Sequence, residues 1–421
     1  MPGRVTIGVP IYRGEAFLAE ALRSIQAQTF TDWQAILSLD GPDHACEAIC
    51  REFLSDSRFR VVNHRQRLGW VGQLNWLLAQ VDGEFWYYHQ QDDLTAPEYL
   101  ATLVGHAERH PEAAIASCDL VPFGRIEGRF EQQPSITGAT PFTRVLTVLR
   151  DVANSYQFRG VTRADVVRRA GPAPDNERNG FCADLGWLVA VARCGEIHRV
   201  PLELYRKRYH GTNTESAWWA WDRRERLRAW PMHCMELAAQ ALRGDFTVHE
   251  ARLLWLAAVE RLTSPQVAGH FLPLADLAEG DREGMLVDLL ARAKAAAPLL
   301  DLPMILDAGW PAIDAMSRVT FHDASREPIT ILDFGPRKIR RGRGFNVQPD
   351  GRSAVWVKTS RRAFRDVQIS VGGATLETYH EGTVYTAFVP EELIAQVRVV
   401  PLVLIGRDGR KRSSEEEIDI R

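Results

Sequence analysis

Two adjacent carboxylates, Asp92 and Asp93, follow a run of aromatic residues at 85–88 that is typical of a buried β-strand. A helix that starts near Pro97 comes next, so the pair lies at the carboxyl end of a strand, where open α/β sheets bind ligands. Divalent cations that also hold a diphosphate need only one or two carboxylates from a protein. An Asp-Asp pair is also a common turn signal. The neighbouring motifs favour the ligand-binding interpretation.

Four further segments place polar or aromatic side chains beside predicted strands. In chain order they are 10–15 (Pro-Ile-Tyr-Arg-Gly-Glu), 38–43 (Ser-Leu-Asp-Gly-Pro-Asp), 67–75 (Arg-Leu-Gly-Trp-Val-Gly-Gln-Leu-Asn) and 179–187, which leads to 204–213. Each alone is a weak signal, because a pair such as Asp40-Gly41 is also a tight-turn signal. The order of the segments and the intervals between them are together a stronger signal than any one segment.

Taken in order, these segments resemble the inverting family 2 glycosyltransferases of GT-A fold. That family reads Pro-x-Tyr-Asn, Asp-Gly-Ser-x-Asp, Gly-x-x-x-Ala-x-Asn, Asp-x-Asp-Asp, Glu-Asp and Tyr-Arg-x-His. The resemblance covers about residues 4–215. It implies transfer of a sugar, with inversion, from a nucleotide-diphosphate donor to an acceptor hydroxyl. The implied setting is bacterial surface polysaccharide, lipopolysaccharide or glycoprotein assembly, with a saccharide, lipid-linked or protein acceptor.

The resemblance also implies a role for each matching residue. Asp40 would accept a hydrogen bond from the base, Asp92 would ligate a divalent metal (Mn²⁺ or Mg²⁺), and Asp184 would be the catalytic base. Such a cation stabilises the charge on the leaving diphosphate, and one carboxylate suffices to take the acceptor proton. The other implied contacts are a second metal ligand, His210, and the donor-binding residues Pro10, Tyr12, Glu15, Asn75, Arg206 and Arg208.

The chain departs from the family pattern at several positions. Gln90 replaces the first Asp of Asp-x-Asp-Asp, which shifts the metal assignment onto Asp92, and Ala183 replaces the Glu before the base. The histidine falls two residues late, with Arg208 in its usual place. The remaining departures are Arg13 for Asn, Pro42 for Ser and Gln73 for Ala. These departures from the family pattern leave the identity of the donor sugar undetermined.

Ordinary structural roles would also explain several of these residues. An acid such as Asp184 suits the start of a helix, and a loop histidine such as His210 has many uses. Arg206 and Arg208 would share one face of a strand, with Lys207 on the other, so the two arginines would also suit a solvated face.

Strand and helix patterns alternate through the first part of the chain, which predicts an α/β fold: a mainly parallel sheet with helices on both faces. No Gly-x-Gly-x-x-Gly follows the first strand, which argues against a dinucleotide-binding domain. The predicted strands are Val5–Val9, Trp33–Leu39, Phe59–Asn63, Phe85–His89 and Ala114–Cys118, with an extended piece near Tyr156–Phe158.

We predict three regions: a GT-A domain over 1–215, a helical region over 216–316 and an immunoglobulin-like β-sandwich over 317–421. The last region contains short apolar runs separated by Gly, Pro and Asp turns. Its Thr386-Ala387-Phe388-Val389-Pro390 segment resembles a strand of the immunoglobulin-like IPT/TIG modules. The predicted strands are Ile329–Phe334, Ala354–Lys358, Val367–Val371, Val384–Val389 and Val397–Ile405.

Composition restricts the class of protein. With 51 basic and 54 acidic residues the 421-residue chain has a net charge of −3, which gives no reason to expect a nucleic-acid partner. Six cysteines without a Cys-x-x-Cys motif predict reduced thiols in a cytoplasmic protein. The first residues lead directly into the predicted strand Val5–Val9 and lack the long apolar region typical of a signal peptide, and no apolar run approaches about 20 residues, so we expect no membrane-spanning helix. The Trp- and Arg-rich segment 218–230 would suit either peripheral contact with the inner face of a membrane or packing between domains.

Three other functions would be compatible with parts of the pattern. A nucleotidyltransferase of similar fold would need a Gly-rich, basic loop after the first strand, and residues 10–15 do not supply one. A second alternative is a non-catalytic protein that binds carbohydrate or nucleotide sugar through a decayed transferase domain. Such a protein would not need Asp40, Asp92 and Asp184 together. A glycoside hydrolase would use two opposed carboxylates, but the nucleotide-site motifs would then be unexplained. A homo-oligomer is compatible with the sequence.

Overall fold

The computed structural model describes residues 3–128, 130, 132–300, 330–341, 343–348, 351–359, 367–381, 383–395, 398–406, 411, 413 and 415–421. The chain divides into two compact units, residues 1–309 and 310–421, which are described separately.

The first unit contains an eight-stranded sheet with the order β3-β2-β1-β4-β7-β6-β8-β5. Its strands β1 to β4 are mutually parallel, and so are β6 and β8, whereas β7 and β5 pair antiparallel with their neighbours. The predicted α/β class is confirmed. In chain order the strands β1 to β8 are Val5–Ile11, Trp33–Leu39, Phe59–Asn63, Phe85–Tyr88, Leu94–Thr95, Ala113–Gly124, Val161–Arg163 and Glu196–Tyr209.

The central strands are apolar because helices cover both faces of the sheet. All seven residues of β1 are buried, and so are all four of β4. Such unbroken burial is typical of parallel strands in α/β folds. At Gly8 a Cβ atom would lie 2.1 Å from the ring of Trp86, so glycine allows the indole of β4 to pack across β1.

Within the described residues of the first unit, seven helices accompany the sheet, and the helix predicted to start near Pro97 begins at Tyr99. The extended piece predicted near Tyr156–Phe158 is wrong, because Tyr156–Arg159 forms a 3₁₀ turn. A short aromatic run does not by itself distinguish strand from helix. The helices α1 to α7 are Leu18–Gln26, His44–Glu52, Gly69–Leu78, Tyr99–Arg109, Pro141–Asp151, Ala164–Ala170 and Ala183–Cys194.

The predicted helical region is observed as far as residue 300, and its helices share the core of the first unit. Helix α9 packs on α7, and α10 packs on α5. The buried Arg261 guanidinium, just after α10, donates to the carbonyls of Leu149 (2.8 Å) and Val152 (2.9 Å) at the end of α5. Residues 301–316 of this region lie outside the described residues. The helices α8 to α11 are Thr214–Trp219, Arg223–Ala241, Val248–Glu260 and Glu279–Leu300.

The tryptophans of segment 218–230 pack mostly within the first unit. Trp218 and Trp221 contact Phe181, with ring centroids 5.3 and 5.2 Å away, and Trp230 stacks on Phe271 at 5.8 Å. These contacts favour the packing interpretation of the segment. Among the described helices, none combines the length and the apolar character that a bilayer span requires.

The second unit contains a five-stranded sheet, β10-β17-β16-β12-β13, and a four-stranded sheet, β14-β15-β11-β9. Apolar side chains from both sheets form one core, as the predicted sandwich requires. The predicted strand starts at Ile329 and Val397 lie outside the described residues, and the IPT/TIG resemblance stays a prediction. Strands β9 to β17 are Ile331–Gly335, Lys338–Ile339, Ala354–Thr359, Val367–Val371, Ala374–Thr375, Thr378–Glu381, Val384–Phe388, Arg398–Gly406 and Glu416–Ile420.

Candidate active site

A cleft of about 850 Å³ opens where strands β1, β2, β4 and β8 end. Its position agrees with the rule that α/β sheets bind ligands beyond the carboxyl ends of their strands. Most of the residues that the sequence predicts for the site line this one cleft. They are Pro10, Tyr12, Glu15, Asp40, Asp92, Asp184 and His210.

Asp40, just after β2, holds the entry to helix α3. Its two carboxylate oxygens accept hydrogen bonds from the backbone N–H groups of Leu68 (2.5 Å) and Gly69 (3.1 Å). The Arg67 Nε atom lies 3.5 Å from the same carboxylate. A carboxylate has about four acceptor positions, so Asp40 retains capacity to accept a further hydrogen bond from a ligand in the cleft.

Tyr12 and Arg67 form a flat wall on one side of the cleft, with the guanidinium 4.0 Å from the ring centroid. Gln91, which the sequence analysis missed, fixes this wall. Its side-chain oxygen accepts from the Tyr12 N–H (2.9 Å), and its amide nitrogen donates to the Tyr12 carbonyl (3.0 Å). A Cβ atom at Gly14 would lie 2.2 Å from that Gln91 oxygen, so a larger residue at position 14 would displace the Gln91 amide from Tyr12.

Asp92 and His210 meet in the cleft. Asp92 Oδ2 lies 2.7 Å from His210 Nε2 and accepts from the Asn213 side-chain amide at 3.2 Å. The other ring nitrogen of His210 lies 2.8 Å from the Thr212 hydroxyl. The Phe17 ring packs on the imidazole, with centroids 4.7 Å apart. Both polar side chains are therefore oriented before any ligand arrives.

The Asp92–His210 pair fits a divalent cation. Neighbouring ligands around a six-coordinate ion with bonds of about 2.1 Å lie roughly 3.0 Å apart, and the two observed atoms are 2.7 Å apart. A shift of a few tenths of an ångström would admit the ion.

A second group near the cleft, Glu15, Asp43 and Cys46, has ligand atoms within 4.8 Å of one another. Asp43 is already used, since it accepts from the Cys46 N–H (3.0 Å) at the start of α2 and from the Arg13 N–H (3.1 Å). Burial raises the pKa of the Cys46 thiol to about 12, with Asp43 adding to the effect. A protonated thiol is a poor metal ligand, so this group is a weaker metal candidate than Asp92 and His210.

Asp93 lies buried behind Asp92 and supports it. Its carboxylate accepts from the Tyr205 hydroxyl and from the Arg208 N–H, both at 2.7 Å. Burial, and then the charge of Asp92, raise the pKa of Asp93. The Arg159 Nε atom is 3.7 Å away and has no hydrogen-bond partner within the described residues. Arg159, which the sequence analysis missed in its 3₁₀ turn, thus lines the cleft as an additional cation.

Asp184, near the start of α7, is oriented by two hydrogen bonds. The Ser155 hydroxyl donates to Oδ2, and the Leu185 N–H donates to Oδ1 at 2.9 Å. The loop before α7 is tied to the cleft wall by the Trp70 indole N–H, which donates to the Asn179 carbonyl at 2.9 Å. Asp184 therefore offers a fixed carboxylate at the cleft surface.

Asn75 does not line the cleft. Its side-chain amide donates to the Ala173 carbonyl (3.0 Å) and accepts from the Ala173 N–H (2.8 Å). The residue links α3 to the loop after α6. These contacts give Asn75 a structural role, and its implied contact with the donor stays a prediction.

On strand β8 the cleft-facing cation is Lys207, and neither Arg206 nor Arg208 lines the cleft. Arg206 is exposed, whereas the Arg208 Nε atom donates to the Asp92 carbonyl at 2.9 Å. Lys207 is buried, and its ammonium group contacts both carboxylate oxygens of Glu215 at 2.7 Å. The two arginines sit on the opposite face because side chains alternate along a strand. Arg208 supports the site from behind.

Comparison with known proteins shows similarity to glycosyltransferases in the N-terminal part of the chain. Residues 6–162 match the model of the family described as "Glycosyl transferase family 2". EpsE of Bacillus subtilis, named as a glycosyltransferase, is 24% identical over 173 residues, which are 38% of this chain and 62% of EpsE. An uncharacterized glycosyltransferase of Haemophilus influenzae is 22% identical over 226 residues, covering 51% of this chain and 68% of that protein. The match to EpsE thus spans less than two thirds of its length.

Among solved structures, TarS of S. aureus shares the fold. A structure of its residues 1–349 with UDP-GlcNAc superposes with a TM-score of 0.51 at 15% identity, over 78% of this chain and 95% of that one. Another TarS structure gives 0.52 at 12% identity, over 99% of this chain and 77% of that one. The GT-A fold is therefore confirmed, and the N-terminal segment is related to family 2 glycosyltransferases.

Proposed function

We propose that this protein is an inverting glycosyltransferase that moves a sugar from a nucleotide-diphosphate donor to an acceptor hydroxyl. The observation that carries the proposal is that Asp40, the Asp92–His210 pair and Asp184 line one cleft. These groups supply what the reaction needs: a contact for the base, ligands for a cation and a carboxylate for the acceptor proton.

On the donor side, the Tyr12–Arg67 wall provides a flat surface for a nucleotide base, and Asp40 accepts a hydrogen bond from it. Stacking on an aromatic ring stabilises any base, so the hydrogen bond to Asp40 is the contact that selects among bases. TarS was solved with UDP-GlcNAc, which makes a uridine diphosphate sugar the first donor to test.

The positive groups in the cleft are suited to the leaving diphosphate. Asp92 and His210 would hold a divalent cation, which when bound neutralises negative charge on the phosphate oxygens. Arg159 contributes fixed positive charge to the same cleft, and Lys207 offsets the charge of Glu215 there. Because Arg159 is largely buried, with 11% of its side chain exposed, its field is weakly screened by water.

Asp184 would act on the acceptor. The acceptor oxygen attacks the anomeric carbon from the face opposite the diphosphate, and the bond from that carbon to the diphosphate oxygen breaks with its electron pair. The acceptor proton passes to Asp184, whose second function is to orient the hydroxyl. A single displacement of this kind inverts the anomeric configuration. The setting we propose is bacterial surface polysaccharide, lipopolysaccharide or glycoprotein assembly.

The first experiment measures nucleotide binding by thermal shift, using uridine, guanosine and thymidine diphosphates with Mn²⁺ or with excess chelator. We expect one nucleotide to raise the melting temperature only when the cation is present. Equal stabilisation in chelator would contradict the metal assignment. Stabilisation by no nucleotide would contradict the donor site.

A second experiment separates catalysis from binding. The protein is incubated with the nucleotide sugar of the stabilising base and a panel of saccharide acceptors, and free nucleoside diphosphate is measured. Release of nucleoside diphosphate only when an acceptor is present supports transfer of the sugar. Tight binding without release across the panel would instead support a non-catalytic nucleotide-sugar-binding protein.

A further inference from the structure

Three histidines and two glutamates cluster around the start of β8, at the opposite end of that strand from His210. One nitrogen of His110, one of His198 and a carboxylate oxygen of Glu112 lie within 4.8 Å of one another. His106 adds a third imidazole, with its Nε2 atom 3.0 Å from His198 Nδ1. The three ring centroids are 4.4 to 5.4 Å apart. The described contacts of the cleft do not involve this group.

The spacing of these atoms suits a small transition-metal ion. Tetrahedral zinc ligands with bonds of 2.0–2.1 Å lie roughly 3.3 Å from one another. His106 Nε2 and His198 Nδ1 are 3.0 Å apart, and so are His110 Nδ1 and Glu112 Oε1. These two pairs would have to open by a few tenths of an ångström, and the two pairs would have to approach each other, since the atoms of His110, Glu112 and His198 lie within 4.8 Å of one another. Imidazole-rich sites favour zinc and similar metals over Mg²⁺ or Ca²⁺.

His198 is also held as a metal ligand should be. Its Nε2 atom lies 2.9 Å from Glu196 Oε2, while Glu196 Oε1 accepts from the Gly138 N–H at 3.0 Å. A proton on Nε2 that is donated to Glu196 leaves the lone pair on Nδ1, the nitrogen that faces His106. Metal-bound histidines commonly donate their second N–H to a carboxylate in this way.

A helix end and two arginines surround the cluster. The cluster lies at the end of α4, where unpaired carbonyls favour a cation. Arg163 covers part of that end by donating to the His110 carbonyl at 3.3 Å, and Arg109 also lies near His106.

We propose that His106, His110, Glu112 and His198 bind one zinc-type divalent ion, with Glu196 as the carboxylate that orients His198. The ion would join the end of α4 to the starts of β6 and β8. From His198 to His210 the strand runs 12 residues, roughly 35–40 Å at the usual rise, so the site is separate from the cleft and its role is structural. It does not depend on the proposed transferase activity.

The test uses the full-length protein, stripped of metal by chelator, with Asp92→Asn introduced in every sample to disable the cleft site. Zn²⁺ and Co²⁺ are titrated with calorimetric and absorbance readouts. We expect one equivalent to bind, with the Co²⁺ absorption of a four-coordinate site and a melting temperature that rises until one equivalent is added. Mg²⁺ should neither bind detectably in the calorimeter nor raise the melting temperature.

Matched variants assign the ligands. His110→Ala combined with His198→Ala should weaken Zn²⁺ binding by at least about 100-fold, and Glu196→Gln by about 10- to 100-fold, as expected for an outer-shell carboxylate. His44→Ala, whose side chain is 97% exposed, is the control and should bind as the parent does. If the double variant does not fold, the single variant His110→Ala, at a half-buried position, replaces it. Absence of Zn²⁺ binding at micromolar concentration, or binding unchanged in His110→Ala and Glu196→Gln, would overturn the proposal.

Discussion

Asp92 Oδ2 and His210 Nε2 lie 2.7 Å apart, although 118 residues separate them along the chain. They meet because strand β5, which begins two residues after Asp92, pairs antiparallel with β8, which ends one residue before His210. Leu94 is opposite Arg206 in this pairing. The short β5 strand therefore assembles the proposed metal site.

Asp92→Asn and His210→Gln should both weaken donor binding. Each variant removes one ligand of the proposed cation, so we expect the cation-dependent rise in melting temperature with nucleoside diphosphate to require at least about ten times more nucleotide. The measurement is a nucleotide titration by thermal shift with Mn²⁺. His249→Gln, an exposed histidine on α10, is the control. A wild-type response in His210→Gln would remove this residue from the metal site.

Asp184→Asn should separate binding from catalysis. The amide keeps the shape of the side chain but cannot take a proton, so we expect nearly unchanged donor affinity and a kcat lower by roughly 10² to 10⁴. Ser155→Ala removes the hydroxyl that donates to Asp184 and should lower kcat by about tenfold. Steady-state kinetics with a transferable acceptor measures both. A wild-type rate in Asp184→Asn would mean that another group is the base.

Lys207→Met and Arg206→Met form a matched pair on one strand. Lys207 faces the cleft and pairs with Glu215, whereas Arg206 is exposed on the other face. Loss of the Lys207 charge leaves the Glu215 carboxylate without its partner in the same cleft, and this negative charge should weaken nucleoside-diphosphate binding at least about tenfold. Arg206→Met should bind as wild type does. The reverse order of effects, measured by calorimetry, would show that the arginine face contacts the donor.

Glu236 should make stability depend on pH. Burial raises the pKa of this α9 carboxyl group from its usual 4.5 to about 8. Its oxygen accepts from the Asn176 amide at 3.0 Å. The unfolded chain loses this proton first, so between about pH 4.5 and 8 stability falls as pH rises.

Glu236→Gln removes that dependence, because the amide resembles the protonated acid. We expect a melting temperature a few degrees above wild type at pH 8.5 and little difference at pH 4.5. Glu283→Gln, an exposed position on α11, is the control. A gain of equal size at both pH values would show that charge at Glu236 is not the cause.

Deletion of residues 310–421 should leave a folded protein that binds the donor. The cleft residues all lie in the first unit, whose core is formed without the β-sandwich. The measurement compares nucleotide-dependent thermal shifts of the shortened and full-length chains. A well-folded shortened protein that no longer binds nucleotide would show that the C-terminal unit helps to form the site.

Much of the fold follows from local sequence. Strands β2 and β3 begin and end at the predicted residues because their apolar runs are bounded by polar or turn-forming residues. The acids at the ends of strands, Asp40 and Asp92, were predictable for the same reason: a strand that ends at a carboxylate delivers it to the edge of a parallel sheet. The sequence alone therefore determines which chemical groups reach that edge.

Only the tertiary structure decides which of those groups face one another. The alternation of side chains along β8 was predictable, but the sequence did not show which set faces the cleft. The pairing of β8 with β6 includes register shifts near Asp119. A shift of one residue exchanges the two faces of a strand. Lys207 thus enters the cleft in place of Arg206. Arg159 likewise joins the site through a 3₁₀ turn that has no sequence motif. Local sequence fixes the identity of a side chain, whereas its neighbours depend on packing between segments far apart in the chain.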